Sequence, residues 1–243
     1  MNEEFSADYK KVVEERVNEI LIRSRVITTF PFKCSALINE LGKEIAIAIM
    51  PFSWIEEHGM KAEDVVLSKD ADTVEMCGRY IIFYNQDMPP VRLTFSAAHE
   101  LAHIMLGHDM EKITQYRKTK DSRLKPLYER CEAEANYFAA CLLMPKVVIN
   151  RLKALGCYIT KEFLQKTFGV SEPAAQIRIQ TLNRNSKHYI PFWEREKSLD
   201  NAVLLKFADF IQKVAPRRKS YEEEYEYEEQ MQEERDRWLQ EGY

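Results

Sequence analysis

Between Thr94 and Gly107 the apolar residues Phe95, Ala98, Ala102 and Met105 recur at helical spacing, and the same stretch carries His99, Glu100 and His103. Residues four apart on an α-helix differ by about 40° in direction, so the two imidazoles emerge side by side and can reach one ion. Glu100 projects about 100° from His99 and about 60° from His103, beside such an ion rather than onto it. The helix is expected to begin at Thr94 as N-cap, after a break at Pro89-Pro90, and to stop near Gly107.

Zinc accepts imidazole nitrogen and carboxylate oxygen in a tetrahedral arrangement, and a catalytic site keeps three protein ligands and one open position for water. His-Glu-x-x-His supplies two of these. Alone it recurs by chance in on the order of one chain in a hundred of this length. His108 is not placed as the third ligand, because the longer three-histidine motif needs Gly and His where Leu106 and Asp109 stand. A histidine at a helix end is expected to meet the terminal carbonyls instead.

The third ligand is sought on a second helix that starts at Pro126, runs to Leu143 and is ended by Pro145. Helical phase puts Glu132 on the side of Ala135, Asn136, Ala139 and Leu143, with Glu134 about 200° away near Arg130 and Cys141. The small residues 135, 139 and 140 allow close approach to the first helix. An inward carboxylate among them needs a cation. Glu132 is therefore the expected third ligand, and Asn136 is placed to accept a hydrogen bond from the non-ligating nitrogen of a bound histidine. This gives a Zn2+ site of His99, His103 and Glu132 with water as fourth ligand. Glu100 would take a proton from that water and pass it to the leaving amine. Tyr128 and His188 are candidate donors to the tetrahedral intermediate, each also readable as a structural residue.

Around these helices, residues 6 to 25 place Val12, Val13, Val17, Ile20 and Leu21 at helical spacing. From Phe32 to Asn85 short β-rich runs follow, Glu44 to Met50, Thr73 to Met76 and Tyr80 to Tyr84, which predict a small sheet. Asp109 to Lys125 reads only as a charged stretch. Lys161 to Leu182 reads as helix, turn at Phe168-Gly169-Val170, then a second helix with Ser171 as N-cap. That second helix offers Arg178 as its one base and begins with an acid, which argues against direct duplex binding.

The chain of 243 residues is 45% hydrophobic, enough for a sizeable core. Its five cysteines, odd in number and without a C-x-x-C, are expected as buried thiols in a reducing compartment. Met1 to Phe5 lacks a secretory layout and Ile45 to Met50 is too short to span a bilayer, so a cytoplasmic protein is expected. The net charge of −4 conceals an asymmetry: residues 221 to 243 hold ten acidic and two basic side chains, leaving the first 220 at +4. The expected organisation is a catalytic domain over 1–150, a helix-turn-helix-like region over 151–190, a helical extension over 191–220 and an acidic tail over 221–243.

Arg92 through His103, Gly107-His108, Glu132-Ala133-Glu134-Ala135-Asn136 with Phe138-Ala139-Ala140, Leu142-Leu143-Met144-Pro145 and Phe168-Gly169-Val170-Ser171 leading to Arg178 together resemble the ImmA/IrrE metallopeptidases, over roughly residues 80 to 185. The resemblance implies an α+β, zincin-like domain in which a small twisted sheet packs on the His-Glu-x-x-His helix beside a second, ligand-bearing helix. It also implies a regulator that cleaves or inactivates a helix-turn-helix repressor of a mobile element or stress response. In related thermolysin-like enzymes an aspartate stands where this chain has Asn136, so the neutral amide would raise histidine basicity less. Two other classes remain open: a zinc-containing binding protein that sequesters its partner without cutting it, as an antitoxin or anti-repressor would, and a DNA-binding regulator.

Overall fold

The structure is a computed structural model that describes residues 7–185, 194–216 and 229–237. Its first helix, α1 (Ala7–Arg23), buries Val13, Val17, Ile20 and Leu21, one face at the spacing the sequence predicts, while Val12 faces solvent. After α2 (Cys34–Leu41) the chain enters a three-stranded sheet of β1 (Ile47–Pro51), β2 (Ala71–Met76) and β3 (Arg79–Tyr84) in the order β1-β3-β2.

β2 and β3 form an antiparallel hairpin pairing Met76 with Arg79. Its two turn residues, Cys77 and Gly78, both take positive φ, 52° and 73°, as a type I′ turn requires to match the strand twist. β1 runs parallel to β3, so a crossover is needed, and it is supplied by α3 (Phe52–Glu57), α4 (Ala62–Val65) and β2. Alternation along β3 then divides the two faces: Ile82 enters the main core, whereas Phe83 packs with Ile55 and Val66 in a smaller cluster.

Against the first face lies α5 (Pro90–Met105), through Ala97, Ala98, Leu101 and Ala102. It begins earlier than expected. Pro89 is its N-cap and Pro90 its first residue, a position where a missing N–H costs nothing, while the Thr94 hydroxyl donates to Pro90 O at 2.9 Å. The two prolines thus start the helix rather than separate it from the sheet. The charged stretch contains α6 (Met110–Thr119), capped by Asp109, whose side chain accepts from Lys112 N.

α7 (Lys125–Leu143) runs beside α5, and Ala98 and Ala102 of one with Ala135 and Ala139 of the other are all fully buried. Next come α8 (Lys146–Ala154), α9 (Lys161–Phe168) and α10 (Glu172–Asn185). Gly169 makes the turn between the last two at φ 63°, where a Cβ would also lie 2.7 Å from Pro31. α11 (Glu194–Lys206) and α12 (Ala208–Val214) follow. Phe30 meets Phe168, Phe207 and Phe210 with ring centroids 4.8–5.3 Å apart, pairs worth about 0.5–1.5 kcal/mol each beyond their buried area. Both the α9–α10 pair and the last helices therefore share the core that holds α5 and α7.

All five cysteines are free thiols; Cys34, Cys131 and Cys141 are buried, but Cys77 stands exposed on the hairpin turn. No described helix is long and apolar enough to cross a membrane. Of the acidic tail, residues 229–237 are helical and exposed, and the remainder lies outside the described residues, as does His188.

Candidate metal centre

α5 and α7 meet through alanines, and this closeness brings His99 and His103 from one against Glu132 and Asn136 from the other. The two Nε2 atoms are 3.1 Å apart, and Glu132 places Oε2 at 3.4 Å from His99 Nε2 and Oε1 at 3.7 Å from His103 Nε2. Two ligands each about 2.0–2.2 Å from one tetrahedral zinc would stand about 3.3–3.6 Å apart. The observed separations lie within about 0.2 Å of that range, with His99 facing one oxygen of Glu132 and His103 the other, so the three side chains are compatible with such an ion.

The donor atoms of His99, Glu100 and His103 also lie within 4.8 Å of one another, so two carboxylates compete for the third position. Their surroundings separate them. Glu100 is buried toward β2, and its Oε2 accepts a hydrogen bond from the Thr73 hydroxyl at 2.7 Å. Glu132 lies on the histidine nitrogens themselves.

Burial, opposed by His99, Arg117 and the Thr73 bond, pushes Glu100 up to about 7. Burial also pushes His103 down to about 3, with His99 adding to the effect. Glu132 goes the other way: burial disfavours its charge, but the bond and charge of His99 together with Arg117 hold it well below the usual carboxylate range.

Around the donors each imidazole is gripped at its second nitrogen. His99 Nδ1 lies 3.1 Å from Asn136 Oδ1, the contact expected from helical phase. His103 Nδ1 lies 2.9 Å from His108 Nδ1, and His108 Nε2 lies 3.0 Å from Glu134 Oε2. Glu134, phased away from Glu132 and near Arg130 as expected, is itself buried and accepts from Arg130 Nε at 2.8 Å. One expectation changes here. The ring of His108 addresses His103 and Glu134 rather than helix-end carbonyls.

Sequence reasoning also missed Arg117. It lies on α6, in the stretch read only as charged, and its guanidinium reaches Asp72 on β2 and Glu132 Oε1, the latter at 3.0 Å. The one signal available was helical spacing in 110–119, with Ile113 buried and Asp109 as a cap. Tyr128 sits at the same edge, stacked on Tyr116 at 4.4 Å and hydrogen-bonded to Arg117. Arg178, the one base of the second helix in the helix-turn-helix outline, is fully buried and donates through Nε and Nη2 to Met144 O.

A comparison with curated proteins gives no match. The profile of the peptidase family described as the IrrE N-terminal-like domain matches residues 45–180, from the start of the sheet into α10 and including the whole centre just described. With more than half of its length covered, the chain belongs to the ImmA/IrrE family of metallopeptidase-like proteins.

Proposed function

We propose that the chain is a zinc-dependent endopeptidase that cuts a cytoplasmic regulatory protein, with a helix-turn-helix transcriptional repressor of a mobile element or stress response as substrate. The observation that carries the reading is the convergence of His99, His103 and Glu132 at separations of 3.1–3.7 Å, with the carboxylate of Glu100 buried beside them. His99, His103 and Glu132 would hold the ion, which when bound polarises the scissile carbonyl and makes an attacking water more acidic.

Glu100 takes the proton from the attacking water and delivers it to the leaving nitrogen. Such a role needs a carboxylate held beside the ion without serving as its ligand, and Glu100 is buried next to His99 and His103. Thr73 fixes Oε2, so the carboxylate is held in one orientation through both transfers. Asn136 and His108 hold the two imidazoles with their Nε2 atoms turned toward Glu132.

Glu100→Gln should keep one zinc per chain and lose hydrolysis, with fragments of the repressor appearing only for the wild type and only without chelator. Hydrolysis by the Gln variant would overturn the assignment. If the wild type binds its partner without cutting it, and binding survives Glu100→Gln, the protein is a zinc-containing sequestering protein instead.

A further inference from the structure

His108 and Glu134 stand outside the three donors, yet the geometry joins them to His103 in one line. Glu134 sits on α7 and His108 just beyond the end of α5; their side chains are 4% and 6% exposed, and that of His103 is 0% exposed. The contacts are His103 Nδ1 to His108 Nδ1 at 2.9 Å and His108 Nε2 to Glu134 Oε2 at 3.0 Å. Arg130 Nε donates to the other oxygen, Oε1, at 2.8 Å, and Tyr9 of α1 also hydrogen-bonds this carboxylate.

The direction of the protons along this line follows from what each end can do. A carboxylate already paired with a guanidinium only accepts, so His108 Nε2 donates. A neutral imidazole protonated at Nε2 has a lone pair at Nδ1, so His108 accepts from His103 Nδ1–H. His103 is then the tautomer whose Nε2 lone pair faces His99 and Glu132. With the opposite order, an N–H of His103 would point into the donor set.

We propose that His108 and Glu134 are positioning residues that lock His103 in the metal-binding tautomer, through a Glu134–His108–His103 chain anchored by Arg130. This rests on the reading of His99, His103 and Glu132 as the zinc donors. It differs from a purely structural role because it acts on one nitrogen of one ring. Each histidine donor is held by a different device: His99 by a neutral amide, His103 by a charged carboxylate acting through a second imidazole. Partners of this kind contribute about 10- to 100-fold in metal affinity.

The test is zinc affinity of the full chain, measured with zinc alone against a competing chelator, together with 15N NMR of the His103 ring in the zinc-free protein. His108→Ala is expected to weaken zinc binding about 10- to 100-fold while the zinc-free chain keeps its circular dichroism spectrum. His108→Asn, whose Oδ1 stands where Nδ1 stood and can still accept from His103, should recover much of that loss. Wild-type His103 should be protonated at Nδ1.

Affinity unchanged within about 2-fold in both His108→Ala and Glu134→Gln, or His103 protonated at Nε2, overturns the proposal. If His108→Ala does not fold, the near-isosteric Glu134→Gln and the wild-type tautomer still decide it. Glu132→Ala keeps the two readings apart. Zinc binding lost there but intact in the His108 and Glu134 variants removes only the positioning chain, whereas binding intact in Glu132→Ala removes the zinc site itself.

Discussion

Arg117 carries two carboxylates on one guanidinium, Asp72 and Glu132, and its side chain is 12% exposed against 6% for that of Asp72. Truncating one partner of a buried ion pair leaves the other charge uncompensated, at a cost of about 3–5 kcal/mol. Arg117→Met should therefore lower the urea midpoint by the equivalent of about 3 kcal/mol, and adding Asp72→Asn to the same chain should return much of the loss; additive losses would refute the coupling. At His99, Asn136→Asp should tighten zinc binding, because an ionised acceptor raises the basicity of the ring more than an amide does, and Asn136→Ala should weaken it by about 10-fold in chelator competition. These residues also separate what local spacing encodes from what only the packed molecule brings together. Glu132 and Asn136 were legible because they share a helix with the alanines that set its phase. Thr73, Arg117 and the alignment of His108 with Glu134 were not, since each meets the centre from another element and no local spacing encodes that meeting.

At the level of elements, the approach of α5 to α7 is permitted by alanine on both sides, with Ala98, Ala102, Ala135 and Ala139 fully buried. Ala139→Leu would force the helices apart, and overpacking of this kind costs about 1–3 kcal/mol. Because Glu132 and Asn136 ride on α7, the same variant should lose zinc affinity beyond what its stability loss explains. A second contact joins α2 to the end of α1: the Ser24 hydroxyl donates to Glu40 Oε2 at 2.6 Å and Arg25 N donates to Oε1 at 2.7 Å. Slight burial opposes the charge, but these bonds hold Glu40 below its ordinary value of 4.5. A depressed folded pKa stabilises fully above the unfolded value and is lost as pH falls through the folded one. The stability difference between wild type and Glu40→Gln should therefore be constant near neutrality and shrink below about pH 4.5 in urea titrations; a gap that widens in acid would contradict it. The helices and strands themselves were largely legible from periodicity. The start of α5 was not, because two prolines read locally as a break and only the packed helix shows them serving as its cap and first residue.

Over the whole molecule, the question is what ties the α9–α10 pair to the centre, and Arg178 supplies an answer that its sequence context hides. As the one base between Glu172 and Leu182 it invites a reading as a nucleic-acid contact, yet its Nε and Nη2 both donate to Met144 O, at 3.0 and 2.8 Å, and Nη1 lies 3.3 Å from Cys141 Sγ. The last carbonyls of a helix have no partner within it, and Met144 follows α7 directly. Arg178 thus closes the end of the helix that carries Glu132, and Glu14 of α1 adds a countercharge nearby while accepting from Tyr137 at 2.6 Å. Arg178→Ala would leave the Met144 carbonyl unpaired and open a cavity, together costing at least about 2 kcal/mol. The expected result is a lower urea midpoint with zinc affinity retained per folded molecule, since Glu132 lies three turns away on a helix still held by its alanines. A DNA-contacting arginine would behave in the opposite way, sparing stability while weakening salt-dependent duplex binding. Comparing the two readouts in one variant therefore decides whether α10 serves the centre or faces a nucleic acid.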